Sequence, residues 1–189
     1  GNIWLDPEMT TPYQFYQFWI NSDDADLKKY FRYFSLRPKD EIIEIESSTE
    51  NPNELKRILA EELTERVHSR EAYESAKKVS EILFNRKLDA DLIRSFDSNI
   101  FSQVGREIEC FEIDGNPDGQ TLVDMLSEKT EAFSSKSEVH RAIKGNALSL
   151  NKVKITSADY IVNSDDVLKG GYLFMENGKK HKFLLRIKE

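Results

Sequence analysis

Cysteine, glycine, proline and long apolar runs are all scarce in this sequence, and each scarcity excludes a class of protein. The single cysteine, Cys110, cannot form an internal disulfide, so we expect a small buried hydrophobe in a reducing, cytoplasmic protein. No apolar run approaches the roughly 20 residues that span a bilayer, and residues 1–6 show no signal-peptide pattern. Only 8 glycines and 5 prolines occur in 189 residues, which excludes a fibrous or low-complexity chain.

The patterns that carry catalysis or bind metals are also missing. His68, His140 and His181 do not have the spacing of metal ligands. Adjacent carboxylates such as Glu61 and Glu62 point in different directions on a regular element, which argues against a shared acid–base site. No glycine-rich phosphate loop occurs. The sequence therefore predicts no catalytic residues and no metal site in this chain.

Charge is present in quantity but is distributed unevenly. The formal net charge is −7, yet residues 1–118 contain 15 Lys and Arg against 25 Asp and Glu, whereas residues 119–189 contain 12 against 9. Residues 136–154 are the most biased, with five cations and one acid. Such a basic segment attracts phosphates, so the acidic total does not exclude nucleic-acid binding.

The acidic part has the apolar periodicity of helices. Thr11 and Pro12 form a cap and first-turn pair before an aromatic segment at 13–20, whose rings are expected to build core rather than to stack on bases. Further helices are predicted at 24–34, after Lys39, at 54–67, at 71–84 and at 89–96. Residues 98–113 have mixed periods and receive no assignment.

A cluster of turn formers at 114–119 coincides with the change in charge sign, so we predict a linker there between domains at 1–113 and 120–189. The second domain should hold two short helices, near 121–126 and 136–144, and a small sheet. Its strands are predicted at 147–155, 159–162, 171–175 and 182–187, with a hairpin turn at Asn177 and Gly178. The expected class is α+β, an all-helical domain followed by a small α+β domain.

Basic side chains of the second helix, of the strand that begins near Ala147 and of residues 179–182 are predicted to share one face that binds RNA. Lysines on a small sheet are usually ordinary solvated surface, and that interpretation is the alternative from composition alone.

Two separated regions resemble one known family. Residues 3–6, 11–21 and 23–24, with the helix at 59–68, resemble the segment of bacterial-type tyrosyl-tRNA synthetases that follows the lysine-serine signature loop and opens an all-helical, anticodon-binding domain. Residues 135–138, Arg141, 143–144 and 148–151 resemble the αL RNA-binding motif shared with ribosomal protein S-four. The glycine pair usual before the motif strand appears here as Asn146 and Ala147, so that turn is expected to differ.

The resemblance implies a C-terminal portion of a synthetase, without the catalytic domain, whose partner is tRNA(Tyr). The full-length parent would attach tyrosine to tRNA(Tyr) using ATP and magnesium, whereas this chain is expected to hold no cofactor and to be inactive alone. The parent is expected to dimerise through its catalytic domain, and this chain to be monomeric, cytoplasmic and unattached to membranes. The implied RNA contacts are Lys136, Arg141, Lys144 and Asn151, with Lys152, Lys154, Lys179 and Lys180 as weaker candidates.

The alternative function is a ribosome-associated or other structured-RNA-binding interaction module. The aromatic opening at residues 4–21 favours the synthetase, because such a module does not need it.

Overall fold

The computed structural model describes residues 2–188 and has the predicted α+β class, with nine α-helices and one five-stranded mixed sheet in that range. Packing divides the chain between Ser80 and Glu81 into two compact units. No helix within the described range has both the length and the apolar character needed to cross a membrane.

The first unit is all-helical, and most of its helices begin where a side chain caps free backbone N–H groups. The Thr11 hydroxyl accepts a hydrogen bond from the Gln14 N–H at 3.1 Å, and the Asp23 carboxylate accepts one from the Ala25 N–H at 2.9 Å. All five predicted helices of this part are confirmed. They are α1 (Pro12–Ile20), α2 (Asp24–Phe34), α3 (Lys39–Ser48), α4 (Pro52–Val67) and α5 (Arg70–Phe84), which continues past Ser80 into the second unit.

Aromatic rings fill much of the first unit's core. Four of the five aromatics of α1 are buried, and only Phe18, at 39% exposure, reaches the surface. The Trp19 ring makes edge contacts with Tyr30 at 5.7 Å and with Phe34 at 5.3 Å between centroids, which joins α1 to α2. The prediction that this segment builds core is therefore confirmed.

The second unit combines four helices with the sheet. The helix predicted at 89–96 is confirmed as α6, and the unassigned stretch 98–113 contains a helix and a strand. The helices are α6 (Ala90–Ser95), α7 (Ser98–Glu107), α8 (Leu122–Asp124), prolonged by a π-helical segment at Met125–Lys129, and α9 (Lys136–Lys144). The strands are β1 (Glu109–Asp114), β2 (Leu148–Leu150), β3 (Val153–Lys154), β4 (Tyr172–Asn177) and β5 (His181–Lys188).

The strand order is β1-β5-β4-β2-β3, with β1 parallel to β5 and the other pairs antiparallel. The predicted linker at 114–119 lies inside the second unit, between β1 and α8, and Phe111 of β1 pairs with Leu185 of β5. The α8 and α9 side chains Leu122 and Val139 pack fully buried in one core with residues of this sheet.

Two strand predictions were wrong in detail. The stretch 147–155 is a hairpin of β2 and β3 rather than one strand, because Asn151 and Lys152 have left-handed φ values of 47° and 71° and reverse the chain. The stretch 159–162 forms only one bridge, from Ile161 to Thr121. The hairpin at Asn177 and Gly178 is confirmed, with a turn at residues 178–180.

Candidate nucleic-acid interface

Helix α9 presents its cations because its other face is apolar. The Ser135 hydroxyl caps the helix by accepting a hydrogen bond from the Glu138 N–H at 3.3 Å. Val139 is fully buried in the core, while Arg141 and Lys144 lie exposed in the last turn. Cations at that end interact favourably with the helix dipole, so the helix is stabilised with its charges facing solvent.

Arg141 and Lys144 differ from Lys136 in their surroundings. The Lys136 ammonium lies 2.7 Å from the Asp124 carboxylate and 2.8 Å from that of Glu128, and its pKa is raised by these hydrogen bonds. Within residues 2–188, no carboxylate oxygen lies within 4 Å of the Arg141 guanidinium or the Lys144 ammonium. These two cations are therefore better placed than Lys136 to meet a phosphate.

Asn151 does not reach the surface, so the structure corrects its predicted contact with RNA. Its side chain is 1% exposed, and its amide donates to the Asp166 carbonyl at 2.6 Å and accepts from the Phe174 N–H at 2.9 Å. The Asn151 N–H also donates to the Phe174 carbonyl at 2.7 Å. The residue ties the β2–β3 turn to β4, and asparagine suits this left-handed position better than most residues.

Lys152 is also withdrawn from solvent. Its side chain is 7% exposed, and its ammonium donates to the Ile82 carbonyl and to the Glu176 carboxylate, both at 3.1 Å. The Lys182 ammonium donates to the next carbonyl, that of Leu83. The two lysines thereby satisfy carbonyls in the last turn of α5, where positive charge is favoured.

A groove of about 410 Å³ opens beside these lysines, and its lining belongs entirely to the second unit. Five cationic side chains and a single carboxylate, that of Glu176, line it. The lining also includes the exposed ring of Phe84. The cations are Arg86, Lys152, Lys154, Lys179 and Lys182. We call this cavity the basic groove.

The groove and the end of α9 meet at the backbone of Ala147. The Ala147 carbonyl accepts hydrogen bonds from the Lys154 ammonium at 3.4 Å and from the Gly178 N–H at 2.9 Å, and the Ala147 N–H donates to the Ala142 carbonyl of α9. Lys179 and Lys180 follow Gly178 in the exposed β4–β5 turn. One stretch of backbone therefore connects α9, β3 and the β4–β5 turn. We call Arg141, Lys144, Lys154, Lys179 and Lys180 the basic edge.

Positive charge in the groove is incompletely neutralised. The pKa of Lys182 is lowered, first by burial and then by the charge of Lys152, with a further contribution from Arg86. The Glu176 carboxylate acts in the opposite direction but does not prevail. An anion bound in the groove would relieve this repulsion.

Sequence reasoning missed Arg86 as a member of the site, whereas it placed Lys182 on the basic face without its contact to α5. Arg86 follows α5 in the part of the sequence with an acidic total, so the charge count hid it. Lys182 alternates with apolar residues along β5, and the approach of β5 to the end of α5 places its ammonium on the Leu83 carbonyl. A charge count over the second unit alone would have included Arg86.

Outside the groove, the described residues show little of what catalytic sites usually contain, namely metal-ligand clusters and reactive thiols or imidazoles. Residues 2–188 contain no group of three or more His, Cys, Asp or Glu side chains that could hold a metal ion. Burial raises the pKa of the Cys110 thiol, which favours its unreactive form, and burial lowers the pKa of His68 at the end of α4.

Comparisons with known proteins match the chain in two stretches. Residues 1–85 match the family described as tRNA synthetases class I (W and Y), and residues 101–185 match the tyrosine–tRNA ligase SYY-like C-terminal domain. The tyrosine–tRNA ligase of Porphyromonas gingivalis is 42% identical over 98% of this chain and 44% of its own length. That of Cytophaga hutchinsonii is 42% identical over 98% of this chain and 45% of its own length.

Among solved structures, a C-terminally truncated mitochondrial tyrosyl-tRNA synthetase of Aspergillus nidulans is similar to part of the chain. It is 29% identical, covers 43% of this chain and 25% of its own, and has a TM-score of 0.39. The chain spans less than half the length of the curated relatives it matches.

Proposed function

Because the chain belongs to the tyrosine–tRNA ligase family and corresponds to a C-terminal portion of it, we propose that it binds tRNA(Tyr) through the basic edge of its second unit. The parent protein would attach tyrosine to this tRNA with ATP and magnesium, in the part of its length that the chain does not cover. The chain alone would bind tRNA without catalysing that reaction, and as a monomer, because the resemblance implies that the parent dimerises through its catalytic domain.

The observation that carries the proposal is a connected set of exposed cations that form no close ion pair with a carboxylate. Arg141 and Lys144 come from α9, and Lys179 and Lys180 from the β4–β5 turn, all connected through the backbone around Ala147. Within residues 2–188, none of these four has a carboxylate oxygen within 4 Å. They can therefore neutralise phosphates without first breaking an ion pair.

This arrangement suits folded RNA. An A-form helix has a major groove too deep and narrow for side chains to read, so a protein recognises it by shape, phosphates and ribose hydroxyls. Cations fixed on a rigid helix and sheet meet that requirement and release counterions on binding. We therefore expect affinity to fall steeply as the salt concentration rises.

The test is binding of the purified chain to tRNA(Tyr) and to another tRNA of similar length across a salt series. We expect preferential, salt-sensitive binding of tRNA(Tyr). Arg141→Ala and Lys144→Ala should each weaken binding and reduce the salt slope by about one unit for each phosphate that is no longer neutralised. Lys28→Ala, an exposed lysine of the first unit, is the charge-matched control. Absence of binding at low salt, or unchanged affinity in both α9 variants, would contradict the proposal.

The relatives do not favour the alternative of a ribosome-associated module, because they match this chain over both units and are tyrosine–tRNA ligases. A ribosomal RNA fragment in the same salt series discriminates between the two functions. Stronger binding of that fragment than of tRNA(Tyr) would support the alternative.

A further inference from the structure

The basic groove contains an aromatic ring as well as cations. Phe84 is the last residue of α5 and is 62% exposed, although a phenylalanine is among the residue types most often buried. Arg86 and Lys182 line the same groove. An exposed ring among cations lacks the benefit of burial, which a ligand with an apolar flat surface would restore.

The Phe84 ring is accompanied by a fixed cation. The Lys182 ammonium lies 5.4 Å from the ring centroid and is held by its hydrogen bond to the Leu83 carbonyl. A cation at this distance is attracted by the electron-rich face of the ring. The exposed part of the ring remains open to a second, planar partner.

The rest of the groove is suited to an anion. Arg86, Lys154 and Lys179 are exposed on its lining, while the only carboxylate, that of Glu176, is already paired with Lys152. The groove therefore offers a flat apolar surface and several uncompensated cations within one cavity. A bare phosphate would use only the cations, and an apolar peptide would use only the ring.

We propose that the basic groove binds an unpaired nucleotide of RNA, whose base stacks on Phe84 and whose phosphate is neutralised by Arg86, Lys154 and Lys179. Bases in a duplex are stacked on their neighbours and cannot present a face, so only a single-stranded loop or end fits. Stacking on an aromatic side chain tolerates any base, since every base has a π face. The proposal rests on the proposed RNA-binding function and adds a single-strand subsite to it.

The test compares a short single-stranded RNA with a blunt-ended duplex of equal phosphate number, using the whole chain. Phe84→Leu keeps an apolar side chain but removes the ring, and should weaken single-strand binding by roughly fivefold to tenfold. Duplex affinity and the salt slope should not change. Phe84→Tyr should bind the single strand within about twofold of the unmodified chain. Leu92→Ala, an exposed apolar residue of α6 outside the groove, is the control and should have no effect.

A spectroscopic readout covers the case in which Phe84→Leu folds poorly. In Phe84→Trp, the single strand should quench the added tryptophan emission, whereas the duplex should not, measured against the background of Trp4 and Trp19. Unchanged single-strand affinity in Phe84→Leu together with no quenching in Phe84→Trp would overturn the subsite while leaving tRNA binding by the basic edge intact. Failure of the unmodified chain to bind any RNA at low salt would overturn both proposals.

Discussion

The two units contain similar kinds of charged residue but use them differently. In the first unit, Arg70 lies 3.0 Å or less from the carboxylates of Glu61, Glu65 and Glu74, and Arg37 pairs with Glu62 at 3.0 Å. Several cations there are thus compensated within the unit. In the second unit, Arg141, Lys144, Lys179 and Lys180 face solvent without such partners. The comparison teaches that the placement of charge, rather than the total of −7, indicates where an anionic partner can bind.

The largest expected effect comes from replacing Asn151, a buried polar residue of the second unit, and it shows whether this residue is structural rather than an RNA contact. Asn151→Leu leaves the Phe174 N–H and the Asp166 carbonyl unpaired and puts a branched side chain at a left-handed φ. We expect the second unit to lose roughly 3 to 5 kcal/mol of unfolding free energy. Hydrogen exchange of the β4 amides measures this loss.

Asn151→Gly is the matched control, because glycine keeps the backbone conformation and loses only the side-chain bonds. It should destabilise the second unit less than Asn151→Leu. Native-like protection of β4 in Asn151→Leu would contradict the structural role given to this side chain.

The next largest expected effect shows how much the ion pairs and hydrogen bonds of Glu62 contribute to the stability of the first unit. The Glu62 carboxylate accepts hydrogen bonds from the Ser35 hydroxyl at 2.8 Å, from the Leu36 N–H at 2.8 Å and from the Arg37 guanidinium at 3.0 Å. Glu62→Ala should therefore cost roughly 2 to 3 kcal/mol. Both tryptophans, Trp4 and Trp19, lie in this unit, so their fluorescence during denaturation reports the loss.

The same carboxylate predicts a pH dependence. Burial acts to raise the pKa of Glu62, but the hydrogen bonds from Leu36, Ser35 and Arg37 prevail and lower it from 4.5. The folded-state pKa of Glu62 lies below its unfolded-state pKa. Its contribution to the unfolding free energy is therefore complete above about pH 4.5 and is lost as the pH falls through the folded-state pKa. Glu62→Gln should remove this part of the acid sensitivity, and an unchanged acid profile in that variant would refute the assignment.

The smallest expected effect concerns Lys136 of α9, a predicted RNA contact that is paired with carboxylates as Arg70 of the first unit is. Its ammonium is neutralised by Asp124 and Glu128 at the surface, and its side chain is 48% exposed. Lys136→Ala should change the dissociation constant for tRNA by less than about twofold, because exposed pairs contribute little and the charge is already compensated. A loss as large as that of Arg141→Ala would show that the pair opens on binding.

Local signals were sufficient to predict much of the fold. Helix α2 has the predicted bounds because Leu27, Phe31 and Phe34 recur on one face after the Asp23 cap. Helix α9 likewise follows from its serine cap and the buried Val139 and Ile143. Both kinds of signal lie within a few residues of the element that they define.

What could not be predicted depends on contacts between distant parts of the chain. Strand β1 is parallel to β5, more than 70 positions later, and this pairing leaves no local pattern in residues 109–114. The burial of Asn151 depends on its bonds to Phe174 and Asp166, which sequence spacing does not reveal. The basic groove depends on the approach of β5 to the end of α5, so the bond from Lys182 to the Leu83 carbonyl could not be predicted.

The most direct test of whether tRNA binds at the basic edge makes the same change in charge in each of the two units. Lys144→Glu with Lys179→Glu reverses two cations of the basic edge, and Lys28→Glu with Lys29→Glu reverses two exposed lysines of α2. Both double variants have the same net charge, and the affinity for tRNA(Tyr) is measured across a salt series. We expect a large loss of affinity and a smaller salt slope for the first pair, and little change for the second. Equal losses in the two variants would contradict it, because binding would then follow net charge rather than the basic edge.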